Sequence, residues 1–274
     1  MTELTGLNGP DGPARPDALT WPSPAPGAAP RPKMIAAQAG LELRTLLRNG
    51  EQLLLILIIP VLLLVVFSSE ALVSVGRGSR IGFIAPGMLA LAIMSTSFTS
   101  LAIGTAFERR YGVLKRLGAT PLSRGGLVGA KAVTVLTVEI GQVVLIVIVS
   151  ILLSWHPVVT AVSVASALLL FVAGSAAFSG LAMLMAGTLR AEATLAAANL
   201  VYLVLLGVGG MVFPLAKFPA SVRPALRLLP SGAMSDGLRG ALRYGAGLPV
   251  RDLLVLAAWA VVGIALAACT FRWE

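Results

Sequence analysis

The chain has 274 residues, of which 57% are hydrophobic and only 12% carry a charge. Soluble domains average about 25% charged residues, so this composition and a mean hydropathy of +0.91 exclude an ordinary water-soluble fold. The formal net charge of +9 does not indicate a nucleic-acid partner, because the basic residues are spread along loops that flank apolar runs. In such loops they set topology and contact anionic lipid. The composition predicts an all-α membrane protein.

The first 33 residues contain eight of the 17 prolines and no long apolar run. Such a stretch cannot bury enough surface to offset its ordering entropy, and it lacks the apolar centre of a signal peptide. We expect residues 1–33 to be a disordered cytoplasmic tail and residues 34–274 to form one transmembrane domain.

Residues 34–50 have the pattern of an amphipathic helix. Ala39 and Leu43 fall on an apolar side, whereas Gln38 and Glu42 fall on a polar side. This pattern predicts a helix that lies in the plane of the lipid headgroups before the chain enters the bilayer.

Six apolar runs follow, each about long enough to cross ~30 Å of hydrocarbon. The predicted spans are residues 51–69, 82–107, 126–154, 159–187, 194–213 and 253–270. The segment 214–252, between the last two spans, is rich in proline and basic residues, and it is too polar to cross. We expect it to form short re-entrant helices, since non-helical backbone at membrane depth must be covered by protein or water.

The lysine and arginine counts indicate an orientation. With a cytoplasmic N-terminus, the inner segments carry 13 basic residues and the outer segments carry eight. Six of those eight lie in the 214–252 segment and run against the bias, but the first loops dominate most topologies. We therefore predict a multi-pass protein of the plasma membrane with both termini in the cytoplasm.

Polar side chains in the second and fifth spans allow two interpretations. They either pack helices through small groups and hydrogen bonds or line a path across the membrane, which Met211 and Phe213 would narrow near the outer surface. The candidate path residues are Ser95, Thr96, Thr99, Asn199, Tyr202, Met211 and Phe213.

Glu139 falls near the middle of the third span, where a charge costs roughly 2.5–3.5 kcal/mol on insertion scales. It is a candidate for a proton relay or a cation contact. The alternative is a structural glutamate that pins helices, with Gln142 one turn further on as its partner.

Catalytic motifs are missing from the sequence. It has no phosphate-binding loop and no Gly-Lys pair, and its one histidine, His156, and one cysteine, Cys269, cannot form the usual multi-ligand metal sites. We predict no catalytic residues, no metal site and no cofactor bound by this chain.

Residues 108–124 form a charged stretch between the second and third spans, on the predicted cytoplasmic side. Leu114 and Leu117 are spaced for one helix face, and Thr120-Pro121 would end the helix because a residue before proline avoids the α region. The stretch is either a basic loop that sets topology or a helix that docks a cytoplasmic partner.

With this stretch, Glu-Arg-Arg-Tyr-Gly-Val-Leu-Lys-Arg-Leu-Gly-Ala-Thr-Pro, the chain resembles the ABC-2 type permease family, the membrane subunits of type V ABC exporters. Two weaker similarities are Pro86-Gly87 early in the second span and the re-entrant segment, with its Phe218-Pro219, Leu229-Pro230 and Leu238-Arg239 pairs. The resemblance covers residues 34–274. The chain differs from the family pattern at Val113, where threonine is frequent, and at Lys115, where an acidic residue is common.

The resemblance implies a complex in the plasma membrane of a bacterium. Two permease chains, identical or related, would pair in the lipid above two ABC ATPase subunits that bind ATP and Mg. The amphipathic helix and residues 108–124, which we call the coupling stretch, would pass motion to the spans. The second and fifth spans would line a central path. The implied coupling residues are Glu108, Arg109, Arg110, Tyr111, Gly112, Leu114, Arg116, Thr120 and Pro121.

Two other functions remain open at this point: an ion-driven carrier centred on Glu139, and a membrane scaffold that transports nothing. The substrate class also stays open among amphipathic drugs, lipids and lipid-linked sugars.

Overall fold

The computed structural model describes residues 27, 29–69 and 79–271, and every regular element among them is a helix. Most of the predicted disordered tail lies outside these residues, as do residues 70–78. The α-helices are α1 (Arg31–Arg48), α2 (Gly50–Ser69), α3 (Arg80–Met94), α4 (Leu101–Arg110), α5 (Val113–Gly118), α6 (Arg124–Leu152), α7 (Ala161–Thr188), α8 (Ala191–Val208), α9 (Arg223–Leu226), α10 (Pro230–Tyr244) and α11 (Val250–Thr270). A π-helical turn, Ser95–Ser100, joins α3 to α4, and a 3₁₀ turn covers Leu215–Lys217.

Helix α3 is the centre of the bundle. Every residue from Ile81 to Met94 is buried, as expected of a helix that is apolar on all sides. Helices α2, α6, α7 and α10 pack around it. Together with the π turn and α4, it forms one continuous helical rod of 31 residues, Arg80–Arg110. This rod runs through the protein from one end to the other.

Helices α7 and α11 pack along one another and form one side of the bundle. They approach closely at Gly180 and Gly263, where a Cβ on Gly180 would lie 3.0 Å from the backbone nitrogen of Ile264. Small residues allow such close approach between helices in a membrane. A larger side chain at either glycine would push the two helices apart.

Five helices of the described part are long and apolar enough to cross a membrane. They are Arg80–Arg110, Gly125–Leu152, Ala161–Thr188, Ala191–Val208 and Val250–Thr270. The last four keep much of their apolar surface exposed, through residues such as Ile148, Leu168, Leu203 and Val261, and this exposure fits contact with lipid. The first predicted span coincides with α2, whose stretch Ile56–Ser68 is shorter, so the count of six spans stays a prediction.

Some helix ends differ from the predicted limits. Helix α8 ends at Val208, five residues before the predicted limit, because Gly209 and Gly210 turn the chain and Gly210 has a φ of 72°. Helix α1 begins at Arg31, where the fixed φ of Pro32 suits a first helical turn. The 214–252 segment does contain short helices, but its depth in a bilayer, like the headgroup position of α1, stays a prediction.

Candidate functional site

The coupling stretch consists of two helices rather than one. Helix α4 ends at Arg110, and Gly112 then adopts a left-handed conformation, with a φ of 69°, before the short helix α5 begins. Glycine adopts this conformation without the steric penalty that other residues have. After α5, Ser123 caps the N-terminus of α6 through a 3.1 Å bond from the Gly126 N–H. The stretch is therefore a bent element at one end of the rod.

Glu108 belongs to a buried ionic cluster, the Lys131 cluster, which comprises Glu42, Glu108 and Lys131. The Lys131 Nζ lies 2.6 Å from the Glu108 Oε2 and 3.6 Å from the Glu42 Oε1, and the lysine side chain is only 6% exposed. A buried ammonium needs such partners to offset its lost hydration. The cluster connects α1, α4 and α6 at the base of the bundle.

The role of Lys131 was missed by the sequence argument, which counted it only as one more cytoplasmic basic residue. The available signal was its position, since it lies two turns inside a long apolar helix whereas the other basic residues of that region flank the helices. A cavity of about 350 Å³ adjoins the cluster, lined by α1, α4 and α6, and the buried Thr105 hydroxyl that borders it has no hydrogen-bond partner.

Arg109 and Arg110 bind the connection between α7 and α8. The Arg109 guanidinium donates to the Gly187 carbonyl at 2.7 Å and to the Leu189 carbonyl, both at the C-terminal end of α7. The last carbonyls of a helix have no partner within the helix and attract cations. Arg110 forms an ion pair with Glu192 at the start of α8. The end of α4 is thus tied to a second pair of helices.

The rest of the coupling stretch forms an outward face, which we define as Tyr111, Lys115, Arg116, Thr120 and Pro121. All five residues are exposed, and Tyr111 is 65% exposed. Leu114, between them, is 2% exposed and anchors α5 to the bundle. The nine predicted coupling residues therefore include an inward group that holds helices together and an outward group that is accessible.

The predicted path residues separate into three places. Ser95, Thr99, Asn199 and Tyr202 line one cleft of about 570 Å³ between α2, the π turn and α8, and we call this the path cleft. Thr96 points elsewhere and donates to the Gln142 Oε1 at 2.6 Å. Met211 and Phe213 lie beyond the end of α8.

Met211 and Phe213 differ in exposure. Met211 is fully buried, whereas Phe213 is 42% exposed. Both follow the Gly209-Gly210 turn, at the end of the bundle opposite the coupling stretch, and we call this the outer end after the predicted orientation. Their proposed role as an apolar constriction stays a prediction.

Glu139 is completely buried within α6. The hydroxyls of Ser97 and Ser175 lie beside its carboxyl group, but neither carboxyl oxygen has an aligned hydrogen bond. The expected partner Gln142 bonds elsewhere, because it accepts from Thr96 and donates to the Ile56 carbonyl at 2.8 Å. The role of Glu139 stays open between the two interpretations given above.

The basic residues of the 214–252 segment have structural uses that their number did not reveal. Arg223 donates to the Phe218 and Ala216 carbonyls at 2.7 and 2.8 Å, and Arg227 lies 3.5 Å from Asp236. Arg239 is almost fully buried, and this burial lowers its pKa to about 10. Arg243 also stacks over the Tyr244 ring at 5.2 Å, so at least four of the six basic residues that ran against the predicted orientation contact other groups of the protein.

Metal ligands do not cluster in residues 27, 29–69 and 79–271: no three histidine, cysteine or acidic side chains there lie close enough to hold an ion. Glu108, Arg109 and Arg110 instead form ion pairs or contact carbonyls that join α4 to neighbouring helices.

Several apolar helices of bilayer length define a multi-pass membrane protein, and a charged bent element lies at one end of its bundle. The model of the ABC-2 family transporter proteins matches residues 74–269, well over half of the chain. The chain belongs to this family, which supplies membrane components of transporters rather than catalytic subunits. Members of the family normally work with an ABC ATPase. A search of curated proteins finds no match to the chain.

Proposed function

We propose that this chain is the permease subunit of an ATP-driven exporter and that a separate ATPase subunit docks on its outward face. The observation that carries the proposal is the division of the coupling stretch. Its inward residues are fixed by ion pairs and carbonyl contacts. Tyr111 is exposed between α4 and α5, and Lys115 and Arg116 are exposed on the short helix α5. An element fixed on one side and accessible on the other is suited to receive a displacement and pass it on.

The Lys131 cluster provides a route for that displacement. A partner that pushes α5 also moves α4, whose Glu108 is held by Lys131 of α6. The same lysine faces Glu42, so α1 follows. Because Arg109 and Arg110 bind the α7–α8 connection, the motion reaches both sides of the rod. Coupling then acts on several helices at once.

The path cleft is the proposed route for the substrate. Its polar residues face apolar ones such as Ile56, Ile59 and Leu195, and a mixed lining of this kind suits an amphipathic or lipidic molecule. We propose that a second permease chain, identical or related, closes the open side of the cleft. In this arrangement both termini are cytoplasmic, in the plasma membrane of a bacterium, and ATP and Mg bind the ATPase subunits.

The test is ATP turnover by the complex with its ATPase, reconstituted in lipid. Arg116→Ala and Tyr111→Ala are expected to lower the permease-dependent part of the ATPase rate severalfold, since each removes a large contact from the docking surface. Arg251→Ala is the matched control, because this arginine is also exposed but lies in the first turn of α11, outside the coupling stretch. Equal rates for all three variants would contradict the docking assignment.

A second candidate function is an ion-driven carrier, and the burial of Glu139 without an aligned hydrogen bond favours it. A carrier would move its substrate in vesicles that contain only this chain, driven by a pH gradient, and Glu139→Gln would abolish the movement. Under our proposal the same vesicles show no transport until the ATPase and ATP are added. A scaffold would show no transport in either case.

A further inference from the structure

Arg239 connects three parts of the outer end. It lies on α10 and is 5% exposed. Its Nε donates to the Phe83 carbonyl of α3 at 3.2 Å, and its Nη2 donates to the Met211 carbonyl at 2.9 Å. The guanidinium also stacks over the Phe83 ring at 3.7 Å. One buried cation therefore holds the beginning of the rod against the turn that follows α8.

The sequence around Arg239 is arranged to allow this contact. A Cβ on Gly87 would overlap the Met211 carbonyl oxygen and approach the arginine, so only glycine lets the turn lie against α3. The preceding Pro86 has no N–H, which leaves the helical hydrogen-bond pattern of this turn incomplete. Ser235, one turn before Arg239, donates to the Gly209 carbonyl at 2.8 Å. Helix α10 thus binds the 209–211 turn at two carbonyls.

Arg239 joins the rod to the turn that follows α8, and the rod and α8 are two walls of the path cleft. The rod carries Ser95 and Thr99, and α8 carries Asn199 and Tyr202. Separating the outer ends of these walls requires the guanidinium to lose the Met211 carbonyl or the Phe83 carbonyl. Asp236 is the nearest counter-charge on the same helix, and it already lies 3.5 Å from Arg227. The turn is consequently held by directional bonds to its backbone.

We propose that Arg239 is a positioning residue that keeps the outer end of the path closed by fastening the Met211 turn to α3. The idea of a closed path rests on the proposed function, but the contact itself does not. Release of the turn exposes Met211, which is fully buried while the contact is made. Met211 is therefore a reporter of the open state.

The experiment measures the reaction of a thiol with a water-soluble maleimide, using the full chain in lipid nanodiscs, where both faces are accessible. The background carries Cys269→Ala, because the native cysteine is exposed, and the reporter is Met211→Cys. Adding Arg239→Met is expected to speed labelling at least about tenfold, since hydrogen bonds from a charged donor are among the strong ones. Arg239→Lys, which keeps the charge but not the two-pronged geometry, is expected to give an intermediate rate.

Two controls are matched to these variants. Arg223→Met removes an arginine of the same segment that also donates to two carbonyls, but those carbonyls lie in its own loop, so the reporter is expected to stay protected. A Phe213→Cys reporter is expected to react at the same rate with and without Arg239, because Phe213 is already 42% exposed. If both reporters speed up together and the melting temperature falls, Arg239 is only a structural support and the proposal fails.

A second variant covers the case in which Arg239→Met does not fold. Gly87→Ala keeps the arginine but places a Cβ where the Met211 carbonyl lies, so it is also expected to expose the reporter. Protection of the reporter in Gly87→Ala, or an unchanged rate in Arg239→Met, overturns the proposal. No ATPase is present in this assay. A failure of Arg116→Ala to affect ATP turnover would leave the labelling result standing, and the two proposals can therefore fail separately.

Discussion

The two ends of the Arg80–Arg110 rod are fastened by different proportions of two kinds of contact. At the coupling end, two ion pairs join side chains, Glu108 to Lys131 and Arg110 to Glu192, and Arg109 adds bonds to two backbone carbonyls. At the outer end, Arg239 binds the backbone carbonyls of Phe83 and Met211 without a side-chain ion pair to either element. Ion pairs between side chains tolerate a change of partner or distance, whereas hydrogen bonds to carbonyls require one backbone geometry. The side-chain pairs of the coupling end can therefore be exchanged by mutation, and the backbone contacts of the outer end cannot.

Removing the buried cation is expected to have the largest effect. Lys131→Met leaves Glu42 and Glu108 facing each other without a cation, and breaking a buried pair in this way costs roughly 3–5 kcal/mol. Because the two carboxylates are 16% and 30% exposed, we expect the lower end of that range. Melting of the purified chain would show a clear loss, and Lys115→Met, at an exposed position, would show almost none.

A charge exchange then sharpens the comparison between the ends. Lys131→Glu combined with Glu108→Lys re-creates an attractive pair, so it is expected to recover part of the stability that Lys131→Glu alone loses. No exchange of this kind is possible at the outer end, where the acceptors belong to the backbone. If the stability lost by the double variant equals the sum of the losses in the two single variants, the Lys131 cluster does not act as an ion pair.

A change of pH is expected to act on the outer end with a smaller effect. Burial raises the pKa of Asp236 above its ordinary value, although Arg239 and Arg227 oppose the shift. The folded state therefore holds this proton more tightly than the unfolded state, and the stability it contributes is lost as pH rises through the raised pKa. Amide hydrogen exchange of α10 should become faster as the pH rises from the ordinary pKa of an aspartate to the raised one. Asp236→Asn should weaken this dependence of the exchange rate on pH. An unchanged slope in this variant would assign the titration to another group.

The smallest effect is expected at Arg110. Its pair with Glu192 is about half exposed on both sides, and exposed pairs contribute about 0.2–1 kcal/mol that salt reduces further. Arg110→Ala is expected to change the melting temperature barely, and less in high salt. A loss as large as that of Lys131→Met would mean that the exposed and buried pairs are equivalent.

The order of the helices could be predicted from the sequence because apolar runs of bilayer length are a strong local signal. The contacts that define the site could not, since they join residues on separate helices that are far apart in the chain. Lys131 of α6 binds Glu108 of α4 and also Glu42 of α1. Arg239 reaches Phe83 from 156 positions away.

Some residue roles were also hidden by their surroundings. The motif around Glu108 marks a charged stretch in the sequence, but the division of this stretch into inward and outward residues depends on which helices pack against it. Thr96 follows Ser95 in the same polar cluster, but neighbouring residues of a helix point about 100° apart. Ser95 lines the path cleft, whereas Thr96 bonds to Gln142. Which of the two faces the cleft depends on how the helix is rotated against α6 and α8, and this rotation is set by tertiary packing.

The continuity of the rod has a mechanical consequence. Phe83 and Glu108 lie on one rod, about 38 Å apart at a rise of 1.5 Å per residue, and the helical backbone continues from one to the other through the π turn. The π turn between them determines how far one end of the rod is rotated about the helix axis relative to the other. Deleting one residue within Ser95–Ser100 would rotate the coupling end by about 100° relative to the outer end. Such a deletion would disconnect Glu108 from Lys131 while each half of the rod stayed helical.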